Sequence, residues 1–470
     1  MNGPAQDLVA DGIETVFGYP GYPANTLLSH VDDHDALRLV ITSAESSAVS
    51  AAHAHWMVTG TPAAVVLSDG PGVESALGML VLAVREGAGI LVVLPGLLPH
   101  SQSGSILAAI GATTVDLNGW DASHAVALVQ RGHVVVVLPG CTSPVPRFDE
   151  RRGTCNEHSA IVLGPDITSR ELTDVIRHTC PVITTAGTRL PAALRSRWLG
   201  PLAIGSQQAV FDVLGLGVAS AGPLAAVGCA PDFQAWLHGL GSEVHVVDLA
   251  VSGDCSVHDA PQAYISPAGL PLFDVLLAVA EAMPSAALVS DAGASHKVMS
   301  GVGMHVYGRV VSTVGPTTMG WGPGAALGAA VATREPVILG IGDGALAMSG
   351  LQLVDWQRHG VAGVIVAAEN GSLGSVRARL GGGYPEVTSC PLQTSALWSA
   401  LGIPWRRVPS GLAHEEVCSW AAELAMAGEF AALVVDTSGF EVEETRLPSG
   451  WHWWDELAGG LTAGSSGGAD

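Results

Sequence analysis

The sequence predicts an α/β protein built from three doubly wound parallel-sheet domains. Three observations predict it. Short apolar runs rich in Val, Ile and Leu alternate with helical stretches along the chain. The runs are near-continuous rather than alternating apolar with polar, as in strands covered on both faces. They also fall into three sets, separated by polar, Pro-containing stretches at 141–159 and 252–269. Strands that alternate with helices imply parallel sheets sandwiched between helical layers.

The first set of strands is "TVFGYP" (15–20), "AAVVLSD" (63–69), "GILVVLPG" (89–96) and "HVVVVLPG" (133–140). The second is "AIVLG" (160–164), "PVITTAG" (181–187), "PLAAVG" (223–228) and "EVHVVDLA" (243–250). The third is "ALVSDAG" (287–293), "PVILGIGD" (336–343), "GVIVAAEN" (363–370) and "AALVVDTS" (431–438). The expected domains are therefore 1–150, 155–258 and 265–455, with a disordered small-residue tail at 456–470.

Composition narrows the class. The chain has 470 residues, 48% hydrophobic and 13% charged, with 59 glycines. The apolar runs are strand-sized, far short of the roughly 18 residues of a membrane span. The first residues, "MNGPAQDLVADG", lack the basic and apolar regions of a signal peptide. A soluble, cytoplasmic protein is expected. A formal net charge of −23 disfavours nucleic acid as a partner, because phosphate backbones are repelled. Seven cysteines show no CxxC spacing, so neither zinc nor redox chemistry is suggested. "GWGPGAALGAA" (320–330) imitates a dinucleotide fingerprint but follows no convincing strand, so a nicotinamide-dependent oxidoreductase is set aside.

Open α/β sheets bind ligands beyond the C-terminal ends of their strands. Three strands end there in Gly-rich turns: "SDGPG" (68–72), "SDAGAS" (290–295) and "IGDGA" (341–345). The last carries the sharpest signal. Asp343 lies between two glycines, and 25 residues separate Gly344 from Asn370. A strand–helix–strand unit of that length sets both strand ends on one sheet edge. Asp343 and Asn370 can then offer oxygens to a single hard cation such as Mg²⁺, with phosphate and water supplying the rest.

This spacing, with "NGSLGSVR" (370–377) after it, resembles the thiamine diphosphate (ThDP) motif of acetolactate (acetohydroxyacid) synthases. "DGIETVFGYPG" (11–21) and "GTPAAVVLSDGPG" (60–72) resemble the family's pyrimidine-binding domain. "STVGPTTMGWGPGAALGAAVA" (312–332) resembles its pyrophosphate-binding domain, and "LPSGWHWWDEL" (447–457) its closing segment. The resemblance implies ThDP and Mg²⁺ as cofactors. Asp343, Asn370 and the main-chain oxygen of Ser372 would be the metal ligands. Glu45 would be the catalytic glutamate that promotes the imino tautomer of the aminopyrimidine, largely buried and with a raised pKa. Met319 would hold the cofactor bent. Gly293, Gly320, Gly344 and Ala345 would line it. Glutamate and metal ligands would come from different subunits, so a homodimer or homotetramer with active sites at the interface is expected.

One departure, Glu369, lies beside the metal motif; the others fall on the substrate side. Glu369 replaces the first of two usual asparagines, Ala44 replaces a histidine, and Arg379 stands where the family has an acceptor-selecting tryptophan. Ala109 aligns with a glutamine, and Ser375 stands where a larger apolar residue is common. His100, Ser375, Arg377 and Arg379 are the candidate substrate residues. The middle unit is shorter than one that holds FAD, so no functional FAD site is expected. The implied reaction is 2-oxo acid decarboxylation followed by carboligation of the enamine to an acceptor carbonyl, on an altered substrate: a lyase or transferase. The alternatives are a non-ligating decarboxylase and a catalytically idle ThDP-binding partner.

Overall fold

The computed structural model describes residues 4–98 except 11, 101–117, 133–139, 270–306, 309–313, 318–380, 384–409 and 414–438, with a few isolated positions between. From 151–250 it describes strands alone. The tail at 456–470, the stretch 252–269, the segment 447–457 and His100 lie outside the described residues.

The N-terminal unit holds β1 (Thr15–Gly18), β2 (Arg38–Ile41), β3 (Ala63–Val66), β4 (Ile90–Val93), β5 (Thr113–Asp116) and β6 (Val134–Leu138). Its helices are α1 (Pro4–Ala10), α2 (Ala24–Asp32), α3 (Glu45–Thr59), α4 (Pro71–Arg85) and α5 (Ser103–Ala109). The middle unit contributes β7 (Arg152–Gly153), β8 (Ala160–Leu163), β9 (Val182–Thr185), β10 (Trp198–Leu202), β11 (Leu224–Val227) and β12 (Val244–Val247).

The C-terminal unit has β13 (Ala287–Ser290), β14 (Arg309–Val311), β15 (Val337–Gly342), β16 (Gly363–Glu369), β17 (Trp405–Arg407) and β18 (Phe430–Asp436). Its helices are α6 (Pro271–Ala282), α7 (Ala294–Val306), α8 (Gly322–Thr333), α9 (Asp343–Ser349), α10 (Val354–His359), α11 (Gly374–Arg379), α12 (Pro385–Thr388), α13 (Thr394–Leu401) and α14 (His414–Met426). None of the described helices is long and apolar enough to cross a membrane.

Each unit builds a six-stranded sheet, and the pairings are parallel. The outer two units share one topology: β2-β1-β3-β4-β6-β5 and β14-β13-β15-β16-β18-β17. The middle sheet runs β10-β9-β8-β11-β12-β7. The twelve strands expected from the sequence are the four inner strands of each sheet. The edge strands β2, β5, β7, β10, β14 and β17 carried no such expectation. β7 even lies in the stretch 141–159 read as a linker, yet it pairs with β12. Edge strands are covered on one side only and do not need an apolar run. "TTVD" and "WRR" show it.

The outer units meet along α3 and α8. Neither helix has a polar face: α3 is buried from Ser47 through Met57, and α8 from Gly322 through Ala329. A helix apolar all round belongs inside a molecule. Backbone contact makes the packing close. A Cβ on Gly324 would lie 2.9 Å from the Ser47 carbonyl oxygen, and one on Gly328 only 2.0 Å from that of Ala51. The pairs 47–324 and 51–328 rise together, so the helices run parallel with their N-termini at one end. One apolar core runs through the seam, from Phe17 and Val65 to Leu339 and Val434.

Candidate cofactor and metal site

β15 ends at Gly342 and α9 starts at once on Asp343. β16 lies beside β15 in parallel register, Gly342 opposite Ala368, which brings Asn370 next to Asp343. Asp343 Oδ2 accepts the backbone N–H groups of Asn370 (3.1 Å) and Gly371 (2.7 Å), and Oδ1 accepts that of Gly344 (2.9 Å). The residue is 2% exposed. Burial pushes its carboxyl above the usual range, the N–H groups oppose this, and the charge of Glu369 adds to it. Asn370 Oδ1 accepts the Ser372 N–H at 2.9 Å. A strap fixes this loop from behind: Leu373 N–H donates to Thr388 O (2.7 Å) and Cys390 N–H to Gly371 O (2.8 Å).

Asp343, Asn370 and Ser372 line one cavity of about 90 Å³, with Gly293, Met319, Gly344, Ala345 and Ser375. The donor set is all oxygen, as a hard divalent cation requires. Asp343 Oδ1 and Asn370 Oδ1 accept one N–H each and so keep a second lone pair for a metal. The cradle is glycine-built. Gly293 has φ +115° with open space where a Cβ would stand. On Gly344 a Cβ would meet Leu373 Cδ2 at 2.6 Å and Met319 Cε at 3.3 Å. These residues fit a metal–diphosphate group.

Asp291 supports the same cavity and was not picked out from the sequence. It is fully buried, and its carboxylate accepts the N–H groups of Ala292 (2.7 Å), Gly320 (3.0 Å) and Gly322 (2.7 Å). Burial pushes its carboxyl up to about 6, against those three bonds. It thereby fixes the turn that presents Met319. Gly320 adopts φ +90° in this turn and packs on Ser349, outside the cavity lining. An aspartate immediately after β13, in the turn "SDAGAS", was the signal available for Asp291.

Glu45 opens α3, after Ala44 in extended conformation with no side-chain cap. Its Oε2 accepts from Ser75 Oγ at 3.1 Å, and Oε1 lies over Gly72. The resemblance implied a largely buried glutamate. In the chain it is half-buried, because its carboxylate turns toward the Ser75 hydroxyl rather than into the core. It is not among the described residues that line the cavity, all of which belong to the C-terminal unit. Arg377 is exposed on α11 and off the lining; the Arg379 side chain lies outside the described residues. Of the two substrate candidates whose side chains are described, Ser375 lines the cavity and Arg377 does not. Glu369, in the place of the first asparagine, accepts from Thr394 N–H (3.2 Å), Thr394 Oγ1 (2.7 Å) and Arg407. Burial works to raise its pKa, and these bonds outweigh it and hold the carboxyl low.

The comparisons with known proteins agree with this architecture. The thiamine pyrophosphate enzyme N-terminal TPP binding domain matches residues 5–111, and the C-terminal TPP binding domain matches residues 291–434. The two matches span more than half of the chain, which belongs to the thiamine diphosphate-dependent enzymes. No curated protein matches the sequence. Benzoylformate decarboxylase from Polynucleobacter necessarius shares the fold at 16% identity and TM-score 0.61, over 92% of this chain and 97% of that one. A presumptive thiamin diphosphate-dependent enzyme from Mycobacterium smegmatis shares it at 17% identity and TM-score 0.64, over 92% and 98%.

Proposed function

We propose that the protein is a ThDP- and Mg²⁺-dependent enzyme that decarboxylates a 2-oxo acid and joins the product to an acceptor carbonyl, as acetolactate synthases do. The observation that carries it is the pairing of Asp343 with Asn370 at adjacent strand ends, opening on a glycine-lined cavity. Asp343, Asn370 and the Ser372 main-chain oxygen would hold Mg²⁺. Gly293, Gly344, Ala345 and Met319 would seat the cofactor. When bound, ThDP supplies the electron sink for loss of CO₂. Glu45 would hold a proton against the cofactor's pyrimidine ring, and Met319 would fix the ring's orientation. The proposal includes self-association as homodimer or homotetramer, with small-molecule 2-oxo acid as the ligand, no nucleic acid or membrane partner, and a cytoplasmic location. Exposed Met348, Leu351, Val376, Tyr384 and Val387 in the C-terminal unit are apolar surface that a second copy would cover.

A second reading, simple decarboxylation, has its own support. The cavity is lined largely by apolar groups, among them Ala292, Met319, Leu373 and Val376. Such a lining suits a bulky apolar substituent, and the fold relative from Polynucleobacter necessarius bears a decarboxylase name. One experiment tests both. C2 proton–deuterium exchange of ThDP is followed by quenched NMR with Mg²⁺, in wild type and Glu45→Gln, and products are identified from a panel of 2-oxo acids. Fast exchange that collapses in the variant supports the cofactor role. Acyloin products support carboligation, and aldehyde alone supports the second reading. Slow exchange in both proteins and no product would leave a ThDP-binding partner without turnover.

A further inference from the structure

We infer that Asp355 is a positioning residue for Glu45, holding the start of α3 from the other side of the seam. This rests on the reading of Glu45 given above. Asp355 lies on α10, twelve residues beyond Asp343, in the continuous helical run that starts at Asp343. Its side chain is fully buried. One oxygen, Oδ2, accepts three hydrogen bonds from the N-terminal unit: Ser43 N–H (3.0 Å), Ser43 Oγ (3.0 Å) and Ser47 Oγ (3.3 Å). The other oxygen, Oδ1, has no hydrogen-bond partner among the described residues.

The three donors bracket Glu45, two residues before it and two after. Helices usually fix their own start with a side-chain cap. α3 has Ala44 at that place and makes none. A carboxylate from α10 instead ties Ser43 before the helix and the Ser47 hydroxyl in its first turn, and the positive end of the helix favours it. Gln352 adds a fourth tie, Nε2 donating to Ser46 Oγ at 3.3 Å. Asp355 and Gln352 both belong to the helical run that opens on Asp343. The direction in which Glu45 is presented is thus coupled to the element that carries Asp343.

A buried carboxylate with one idle oxygen is a costly anchor. It would be replaced without loss if it served packing alone. Burial pushes its carboxyl up, and the bonds from Ser43 and Ser47 oppose this. Positioning matters because small displacements of a proton-transfer group cost large factors in rate.

The test uses the ThDP·Mg²⁺-loaded protein and four variants: Asp355→Asn, Ser43→Ala, Ser43→Thr and Glu45→Gln. C2 proton exchange is expected to slow about tenfold in Asp355→Asn, with ThDP affinity changed less than about threefold. Ser43→Ala should slow it less, and Ser43→Thr, which keeps the hydroxyl, should restore it. Amide hydrogen exchange across residues 44–49 of the cofactor-free protein is the second readout, and protection should fall in Asp355→Asn and Ser43→Ala. Wild-type C2 exchange in Asp355→Asn, beside collapse in Glu45→Gln, would overturn the inference while leaving the role of Glu45 standing. Unchanged exchange in Glu45→Gln would instead overturn the reading of Glu45. If Asp355→Asn fails to fold, the Ser43→Ala and Ser43→Thr pair decides by the same two readouts.

Discussion

Two Asp-Gly turns occupy the same place in the two outer units, and they do different things. Asp69-Gly70 follows β3, the third strand of its sheet; Asp343-Gly344 follows β15, also the third. Each aspartate pins the loop after the fourth strand. Asp69 accepts Leu98 N–H (2.6 Å) and Ser101 Oγ (2.7 Å), as Asp343 accepts Asn370 and Gly371 N–H. The surroundings separate them. Burial works to raise the Asp69 pKa, but bonds from Ser103, Leu98, Ser101 and Gly70 overcome it and hold the carboxyl low. Among the described residues Asp343 has only backbone donors; it sits above the usual range and opens on a cavity. The glycines differ too: Gly70 needs φ +67°, whereas Gly344 has no room for a side chain. One topology repeated twice thus gives one turn closed by side-chain bonds and one that opens on a cavity.

The largest expected difference between the turns is in cofactor binding. Asp343→Ala should weaken Mg²⁺-dependent ThDP binding by roughly a hundredfold or more, read by calorimetry. Asp69→Ala should leave that affinity within about twofold and cost ~1–3 kcal/mol of stability instead. Equal losses of affinity in both variants would break the comparison.

Mixing comes next. Glu45 lies off the cavity of its own chain, so a Glu45→Gln chain co-expressed with an Asp343→Ala chain should recover activity. Random pairing with one intact site per mixed dimer predicts about a quarter of the wild-type rate. No recovery would place Glu45 at the site of its own chain.

Acid titration sharpens the contrast further. Asp69 has a lowered pKa, so its contribution is complete above the unfolded value of about 3.9 and is lost as pH falls through the folded value. Asp343 has a raised pKa, so without metal its ionised carboxylate costs stability above the folded value. That cost disappears as pH falls through the folded value toward the unfolded one. Melting midpoints of wild type, Asp69→Asn and Asp343→Asn between neutral and acid pH should therefore converge in opposite senses.

The smallest effect concerns the glycines. Gly70→Ala should cost about 1 kcal/mol by forcing a side chain into left-handed backbone. Gly344→Ala should cost about 1–3 kcal/mol through Leu373 and Met319, and only this variant should lower ThDP affinity.

The inner strands were legible because burial on two faces writes an apolar run into the sequence. The edges were not, since "TTVD" or "WRR" in isolation matches many loops. Asp343 and Asn370 were legible because a fixed spacing across one strand–helix–strand unit places both. Asp291 and Asp355 act through distant partners, Gly320 and Gly322 for one and Ser43 and Ser47 for the other. The turn "SDAGAS" marks Asp291 locally but not its partners, and nothing local marks Asp355. Glu45 was found through resemblance, but its half-buried setting depends on Ser75, which lies on another helix.

The backbone contact at Gly328 sets an unusual tolerance. Most core positions absorb an added methyl by small shifts of neighbouring side chains. Here the neighbour is the Ala51 carbonyl, which cannot rotate away without breaking its helix. A single extra carbon must therefore displace one outer unit against the other within the same chain. Gly328→Ala probes that seam alone, because it leaves every catalytic candidate chemically untouched.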